Sequence, residues 1–521
     1  MNREVSLRQI IDNPKPWDLA VIGGGATGVG IAVDAAARGY RVMLVEQSDF
    51  GKGTSSRSTK LVHGGVRYLQ QGNISLVIEA LKERGILFQN APHLVHDLSF
   101  VVPNYQWWEA PFYGLGLKVY DMLAGQFGFG RSRLLARDEV LERIPTLDRD
   151  GLRGGVLYRD GQFDDSRLLI NLAQTAADLG APLLNYARVL DLRKDHDGLV
   201  EGLRFQDLET GQEHAVAARC VVNATGPFSD SLRRLDEPNA EPMLALSQGV
   251  HLVLDSSFLP GDTAIMVPHT RDGRVMFAIP WHGHTLVGTT DTPIAEVSLE
   301  PRPQSGEVEF ILQTAGDYLA KRPRPEDVLS VFTGIRPLVK SGGASTTAVL
   351  SRDHTISISK SGLLSIMGGK WTTYRKMAQD AVDHARVLAR LEDRPCVTRG
   401  LHIHGFQADS LEPLSIYGSD AEPIRQLMRT EPELAKPLHP HLAISGAQVV
   451  WAVREEMART VEDVLARRTR ALFLNARAAV AIAPGVAQVM ARELERDELW
   501  QRRQIQDFNE VAQGFLPGKR F

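Results

Sequence analysis

A chain of 521 residues exceeds the size at which a single hydrophobic core stops growing, so the sequence predicts more than one domain. Apolar residues make up 43% and charged residues 23%, which is typical of globular proteins and excludes a fibrous or largely disordered chain. The formal net charge of −4 provides no overall attraction for nucleic acid, so any anion site must be built locally.

Cysteine usage and hydropathy indicate the cellular compartment. The only two cysteines, Cys220 and Cys396, lie far apart and lack the neighbours of a metal site or a redox pair, so we predict no metal and a reducing cytoplasm. Residues 1–18 carry acidic residues and two prolines, unlike a secretory signal. The most apolar long stretch, 471–490, is interrupted by polar residues and proline, so we expect no membrane-spanning helix.

The first predicted elements form a strand–helix–strand unit. Residues 17–22 are an apolar run that ends at a glycine, as is typical of a buried parallel strand. Residues 27–38 are rich in alanine and valine, and Gly39 occupies the position of a helix C-cap before a second apolar run at 41–46. The pattern therefore predicts a βαβ unit.

A glycine-rich turn joins the first strand to the helix. Residues 23–28 read GGGATG and match the pattern GxGxxG, while Glu46 ends the next strand. Such glycines allow the backbone to approach a diphosphate, and the helix amino terminus offers free N–H groups to it. An acid at the position of Glu46 is placed to bind the hydroxyls of an adenosine ribose. The motif predicts a dinucleotide and fits both NAD and FAD.

The pattern is looser in the middle of the chain. Residues 94–150 contain aromatic and glycine clusters and look like an insertion. An amphipathic helix is predicted at 166–179, with Asp164 or Asp165 as its N-cap, and a strand is predicted at 183–190. The doubly wound pattern therefore resumes after the insertion.

Two further changes in pattern follow. Short strand-like segments separated by turn residues occur at 249–254, 274–279 and 285–288, and they predict an antiparallel sheet that covers a substrate. Beyond residue 392, glutamate, arginine and alanine recur with helical spacing, which predicts a separate helical domain.

Four motifs resemble one flavoprotein family. By composition alone, the segment 51–68 is either a solvated loop or a stretch that wraps a cofactor. The run SSRSTKLVHGGVRYL at 55–69, together with GIRPL at 334–338, SRDHT at 351–355 and MGGKWTTYR at 367–375, is similar to the FAD-dependent glycerol-3-phosphate dehydrogenases. The resemblance extends from about residue 17 to the C-terminal helices.

The resemblance implies a function and partners. It implies oxidation of sn-glycerol 3-phosphate to dihydroxyacetone phosphate, with hydride moving from C2 to flavin N5 and electrons then passing to a quinone. It also implies peripheral attachment to the cytoplasmic face of a membrane, and it is compatible with a homodimer. The alternatives are an oxygen-using oxidase of glycerol 3-phosphate or of an amine or hydroxy acid, and a flavin-binding protein without turnover.

The resemblance also implies a fold class: α/β with additional helices, comprising a Rossmann-like FAD-binding domain, an antiparallel substrate or cap domain, and a C-terminal helical domain. We assign the domains, in that order, to 17–93 with 151–245 and 330–391; to 94–150 with 246–329; and to 392–521.

By the same resemblance, a large set of residues is expected to contact FAD. The weakest member is the ATG turn at 224–226, since strand-to-glycine turns are common. The set comprises Gly23, Gly25, Ala26, Thr27, Gly28, Glu46, Gln47, Thr54, Ser55, Ser56, Thr59, Lys60, Leu61, His63, Gly64, Val189, Ala224, Thr225, Gly226, Gly368, Gly369, Lys370 and Thr372.

Three arginines in the matching motifs are expected to bind the substrate phosphate. A phosphorylated substrate carries about two negative charges, and the planar guanidinium group binds phosphate through two parallel hydrogen bonds. We assign Arg67, Arg336 and Arg352 to this role, with Tyr68 beside the first. The alternative for each arginine is a surface charge or a structural ion pair.

Oxidation of a secondary alcohol needs a base for the hydroxyl proton. His63 and His251 match family positions near the substrate, although a lone histidine is more often structural. We also assign catalytic roles to Arg336 and to Lys370, a cation placed to stabilise reduced flavin. The order in which His63, His251 and Arg336 approach the reacting hydroxyl stays open.

Two remaining segments receive weaker assignments. The aromatic and basic stretch 105–120, with Trp107, Trp108 and Lys118, is predicted either to enter a membrane interface or to pack within the cap. The segment Gly288–Asp291 also resembles the family and is expected to shape the covering sheet, without a catalytic role.

Overall fold

The structure is a computed structural model of the chain. It describes residues 1–70, 72–268, 270, 274–340, 353–408 and 414–518.

The strands of the described residues fall into two large sheets and one hairpin. In chain order they are β1 Trp17–Ile22, β2 Val42–Val45, β3 Leu61–Val62, β4 Val95–Asn104, β5 Arg133–Ala136, β6 Gly154–Phe163, β7 Leu183–Leu184, β8 Ala187–Lys194, β9 Val200–Asp207, β10 Glu213–Asn223, β11 Leu244–Asp255, β12 Thr263–Val267, β13 Met276–Trp281, β14 His284–Gly288, β15 Thr292–Pro293, β16 Val328–Val339, β17 His354–Ile358, β18 Leu364–Gly368, β19 Pro437–His439 and β20 Leu442–Ser445.

Helices surround these sheets. In chain order they are α1 Arg3–Ile11, α2 Ala26–Ala37, α3 Val66–Gln70, α4 Ile74–Asn90, α5 Glu109–Ala124, α6 Arg137–Arg143, α7 Asp165–Asp178, α8 Ser229–Asp236, α9 Glu307–Gly316, α10 Tyr374–Leu388, α11 Ala421–Thr430, α12 Gly446–Arg454, α13 Ala471–Leu474, α14 Ala476–Glu493 and α15 Glu498–Ala512.

The first sheet contains the predicted βαβ unit. Its central order is β17-β18-β10-β1-β2-β7, and the strands from β18 to β7 run parallel. Strand β1 is almost entirely buried because α2, α7 and α10 cover one face of the sheet, while α1, α8 and β9 pack on the other, which explains its continuous apolar sequence. The predicted strand 17–22 and helix 27–38 are confirmed, and Gly39 follows the helix with φ +78°.

Within the described ranges the second sheet has ten strands and is mostly antiparallel. The predicted segments 249–254 and 285–288 lie within β11 and β14, and the predicted segment 274–279 overlaps β13. However, β6 and β16 lie in ranges assigned above to the FAD-binding domain, and they belong to this second sheet, where they pair with β4 and β11. An apolar strand pattern reports burial but not the sheet that the strand joins.

The amino-terminal segment before β1 contains a docked helix, α1. The Asn2 side chain accepts a hydrogen bond from Val5 N at the start of α1. Arg3 is buried, and its guanidinium group donates to Asp207 Oδ1 at 2.6 Å and to Asn185 O at 3.0 Å. The helix is thus held by contacts with distant residues that the local sequence does not reveal.

The C-terminal part is mainly helical and includes the hairpin β19–β20 and a π-helical turn, Asp463–Arg468. It shares a hydrophobic core with the second sheet: the ring centroids of Phe332 and Phe473 are 4.9 Å apart, and those of Phe473 and Phe515 are 5.1 Å apart. In the part of the chain described above, no helix has both the length and the apolarity needed to cross a membrane.

Candidate active site

A long groove lies where β1, β2, β10 and β18 end beside the start of α2. It has a volume of about 430 Å³, within the range of small-molecule sites. The wall of the groove includes fifteen of the residues predicted to bind a dinucleotide: Gly23, Gly25, Ala26, Thr27, Glu46, Gln47, Thr54, Ser55, Val189, Ala224, Thr225, Gly226, Gly368, Gly369 and Lys370.

The turn before α2 is built to admit a diphosphate. A Cβ atom at Gly28 would lie 1.9 Å from Gly23 O, so only glycine allows the helix to start so close to the strand. Gly25 is the N-cap of α2 and has no side chain to cap it, which leaves helix N–H groups directed at the groove. Ala26 N donates to Ser55 Oγ at 2.9 Å, which brings the segment after β2 alongside the turn. These features fit an anionic dinucleotide.

Glu46 shapes the same end of the groove. Its carboxylate accepts hydrogen bonds from Gly24 N at 2.6 Å and from Ser48 N at 2.8 Å. Burial raises the pKa of Glu46, while the two backbone donors act in the opposite direction. The carboxylate therefore fixes the glycine turn as well as lining the groove.

The substitution Glu46→Gln is expected to weaken dinucleotide binding about tenfold, because one of the two backbone donors would face an amide N–H instead of a carboxylate oxygen. Titration of the apoprotein with FAD, followed by flavin fluorescence, measures the change. Glu201→Gln is the control, since Glu201 pairs with Arg193 on an exposed face. Equal affinity of both variants would contradict the prediction.

A second, smaller cavity of about 160 Å³ adjoins this groove. Thr59, Leu61, His63, Tyr68 and Arg336, all predicted above, line it. The two spaces meet around Lys370, which lines the groove while its Nζ lies 3.9 Å from the centroid of the Tyr68 ring in the cavity wall. Segments far apart in the chain therefore converge at one end of the groove.

Arg336 is held by several acceptors on β11 and on the segment after β14. It forms an ion pair with Asp291 at 3.3 Å and donates to Gln248 O at 3.2 Å, Thr289 Oγ1 at 3.2 Å and Thr290 O at 3.0 Å. Asp291 also accepts from the Ser247 hydroxyl. The guanidinium group is thus a fixed cation in the cavity wall.

Asp291 and Thr289 also line this cavity, although the sequence analysis gave their segment only a shaping role. Their contact with Arg336 forms only when β14 and β16 lie on either side of β11. In the sequence, the sole local signal of this cavity role was a Thr-Thr-Asp turn next to a predicted strand.

Several predicted residues lie outside both spaces. Lys60 is fully buried, and its ammonium group donates to Asp165 Oδ2 at 2.7 Å and to Ser56 O at 2.8 Å. Gly64 N donates to the Tyr120 hydroxyl oxygen at 2.8 Å. Ser56, Gly28 and Thr372 also lie outside both spaces, although Thr372 Oγ1 accepts a hydrogen bond from His63 N at 3.2 Å.

The two candidate bases occupy different positions. His63 lines the cavity directly. His251 is only 2% exposed and lies behind Thr59, with its Nε2 atom 2.9 Å from Thr59 Oγ1. Of the other predicted arginines, Arg67 lies in α3, with its side chain outside what the structure describes, and Arg352 lies outside the described residues.

Comparisons with known proteins decide the family. Residues 18–375 match the model of the FAD dependent oxidoreductase family, and residues 360–501 match the C-terminal domain of alpha-glycerophosphate oxidase. The mitochondrial glycerol-3-phosphate dehydrogenase of Mus musculus is 40% identical over 99% of this chain and 75% of its own length. The mitochondrial glycerol-3-phosphate dehydrogenase SDP6 of Arabidopsis thaliana is 40% identical over 97% of this chain and 87% of its own length.

This chain belongs to the FAD-dependent glycerol-3-phosphate dehydrogenase family. The resemblance noted from the motifs is confirmed, and so are the fold class and FAD as cofactor. The crystal structure of the Bacillus halodurans glycerol-3-phosphate dehydrogenase, complexed with FAD, matches with a TM-score of 0.81 and 32% identity over 100% of this chain and 98% of that one.

A structure with lower sequence identity shares the fold of this chain. The glycine oxidase of Geobacillus kaustophilus matches 75% of the chain with a TM-score of 0.54 and 20% identity. At that level only the architecture is common. The match to the FAD dependent oxidoreductase model ends at residue 375, and the C-terminal helices follow that residue.

Proposed function

We propose that the protein oxidises sn-glycerol 3-phosphate at C2 to dihydroxyacetone phosphate. The observation that carries the proposal is a fixed arginine, Arg336, in the same small cavity as His63, at the end of a groove suited to FAD. Bound FAD supplies the hydride acceptor, N5 of its ring. The chain must then bind the phosphate ester, orient C2 and take up the hydroxyl proton.

Arg336 is the proposed phosphate ligand. Its contacts with Asp291 and the backbone of Gln248 and Thr290 hold it before substrate arrives, so binding costs little side-chain entropy. Asp291 already offsets the single positive charge of Arg336, so a doubly charged ester needs additional cationic partners. Arg67 and Arg352 stay proposed partners in this role.

His63 is the proposed proton acceptor. It lines the cavity, and its backbone N–H is fixed by Thr372 Oγ1 at 3.2 Å. An imidazole can take the hydroxyl proton as the hydride leaves, and it has a suitable ordinary pKa for doing so near neutral pH. Lys370, beside the glycines at 368–369, is proposed to stabilise the negative charge on the reduced ring.

Anaerobic titration with glycerol 3-phosphate tests the proposal. We expect the flavin absorbance of the purified protein to bleach, with one equivalent of dihydroxyacetone phosphate formed per flavin reduced. Glycerol without phosphate is the control substrate, and it should bleach the flavin far more slowly at the same concentration because Arg336 has no anion to bind. A flavin that stays oxidised with glycerol 3-phosphate would refute the proposed function.

Oxygen is a second candidate acceptor, favoured by the match of residues 360–501 to a domain named for an alpha-glycerophosphate oxidase. An oxidase would produce hydrogen peroxide in step with substrate consumption. A dehydrogenase would instead reduce a soluble quinone analogue and release little peroxide in air. Measuring both products in parallel separates the two acceptors.

We propose a quinone acceptor, reached by docking on a membrane surface. The outer face of α5 is strongly apolar: Phe112, Leu115 and Met122 are more than half exposed, and Trp107 just before the helix is 75% exposed. Aromatic and aliphatic side chains of this kind insert into the interface of a bilayer. A lipid-soluble acceptor would be met at such a surface.

The inner face of the same helix adjoins the proposed site. The Tyr120 hydroxyl accepts from Gly64 N at 2.8 Å and donates to Asp160 Oδ2 at 2.6 Å, and Asp160 lines the smaller cavity. One helix therefore connects the exposed apolar face to the segment that contains His63. This arrangement supports electron transfer to an acceptor on that side.

Replacing both Phe112 and Leu115 with glutamate is expected to lower binding to vesicles of phosphatidylcholine and phosphatidylglycerol about tenfold, since two exposed apolar anchors become charged. Flotation with vesicles measures the bound fraction. Leu499→Glu is the matched control, because Leu499 is equally exposed but lies on α15. Undiminished binding of the double variant would contradict the docking face.

A further inference from the structure

A buried histidine lies behind one wall of the smaller cavity and contacts it through a threonine. His251 Nε2 is 2.9 Å from Thr59 Oγ1, and Thr59 lines the cavity. The imidazole is stacked on Phe332, with 4.8 Å between ring centroids, and a Cβ atom at Gly288 would lie 2.3 Å from its Cδ2 atom. Its neighbours on both adjacent strands therefore hold the ring in one orientation.

The surroundings decide which ring nitrogen carries the proton. Burial, together with the nearby cations Lys60 and Arg336, holds the pKa of His251 well below its ordinary value, so the ring is neutral and has one N–H. Nδ1 is buried and has no hydrogen-bond partner among the residues that the structure describes. An orphaned N–H is costlier than an unused lone pair, so the proton lies on Nε2 and is donated to Thr59 Oγ1.

This donation leaves the hydroxyl proton of Thr59 for another acceptor. The residues on both sides of Thr59 contact one carboxylate, because Ser58 N, Ser58 Oγ and Lys60 Nζ donate to Asp165 Oδ2 at 3.0, 2.7 and 2.7 Å. The threonine is thus a fixed donor in the wall of the cavity, at the end of the groove that fits FAD.

We propose that Thr59, oriented by His251, donates a hydrogen bond to the C4 carbonyl oxygen of the flavin ring, beside N5, and makes the oxidised ring a better hydride acceptor. The carbonyl gains electron density as the ring is reduced, so a donor there stabilises the reduced form more than the oxidised form. His251 is then a positioning residue, and the proton acceptor is His63. This inference about Thr59 rests on the proposed function in one respect only, which is the identity of the hydride donor.

The variants Thr59→Val and Thr59→Ser test the donor. Valine keeps the shape and removes the hydroxyl, whereas serine keeps the hydroxyl. Thr59→Val should lower the flavin midpoint potential, measured by equilibration with a redox dye without substrate, and should shift the flavin absorbance bands. It should also slow flavin reduction by glycerol 3-phosphate about tenfold, the value of one hydrogen bond. Thr59→Ser should retain the potential and the rate.

His251→Phe tests the orientation, because phenylalanine keeps a ring on Phe332 and removes the N–H. It should shift the potential in the same direction as Thr59→Val, by a smaller amount, and the double variant should equal Thr59→Val alone. The flavin content of each variant is measured first, so that a folding defect is recognised and Thr59→Ser remains informative.

Three outcomes would overturn the proposal. In the first, Thr59→Val leaves the midpoint potential and the flavin spectrum unchanged. In the second, Thr59→Val changes only the KM for glycerol 3-phosphate, which would mean that the hydroxyl contacts the substrate. In the third, His251→Phe slows flavin reduction far more than Thr59→Val and introduces a new dependence on pH, which would make His251 the base. Because the potential is measured without substrate, a protein that glycerol 3-phosphate fails to reduce would refute the proposed function and leave this test intact.

Discussion

Replacing Arg336 with leucine is expected to lower kcat/KM for glycerol 3-phosphate roughly 1,000-fold while leaving FAD bound. The guanidinium group is a cation that the structure fixes in the cavity wall, with Asp291, Thr289 and two backbone carbonyls as its acceptors. Loss of a charge-assisted contact to the phosphate removes about 2–3 kcal/mol, and the orphaned Asp291 adds repulsion toward a phosphate dianion. Steady-state assay with an artificial electron acceptor measures the loss.

Arg336→Lys separates charge from geometry, since it keeps the cation and loses the planar fork, and it should recover only part of the activity. Arg324→Leu is the matched control, because Arg324 is a mostly exposed arginine just before β16. Arg336→Leu with nearly full kcat/KM would remove Arg336 from the phosphate site. Loss of flavin from the variant would instead indicate a role in cofactor binding.

Local sequence predicted the dinucleotide turn correctly because its chemistry is contiguous. The GxGxxG turn and Glu46 belong to one βαβ unit, so strand, glycines and helix are visible within a short stretch. The cavity is different. Arg336 meets Asp291 only when β14 and β16 lie on either side of β11, and without the family resemblance nothing in the sequence singled it out from other arginines.

Burial is also hard to predict for residues that carry charge. Lys60 lies in the motif that resembles a cofactor segment, but its ammonium group pairs with Asp165, more than a hundred residues away in the chain. Burial lowers the pKa of Lys60 to about 7 in spite of that carboxylate. Thr59, the residue before Lys60, faces the cavity. In an irregular segment, a residue in the site and a residue in the core can therefore be direct neighbours in the chain.

Replacing Asp49 with asparagine is expected to lower the free energy of unfolding by about 3–5 kcal/mol, because it removes the buried carboxylate that Arg467 and Arg468 share. Asp49 is fully buried and accepts from Arg467 Nε at 2.5 Å and from both terminal nitrogens of Arg468 at 2.7 and 2.9 Å. It follows β2 and Glu46, so this cluster attaches the C-terminal π-helical turn to the FAD-binding segment. Chemical denaturation with flavin release as a second signal measures the change.

The pH dependence of stability follows from the same contacts. Burial alone would raise the pKa of Asp49, but Arg468 and Arg467 outweigh it, so the pKa lies below that of an unfolded aspartate. The stabilisation is therefore present above the unfolded pKa and is lost as pH falls through the folded value. Glu498→Gln is the control, because its exposed pair with Arg502 contributes little. If Asp49→Asn unfolds at the same denaturant concentration as Glu498→Gln, the cluster does not hold the C-terminal part in place.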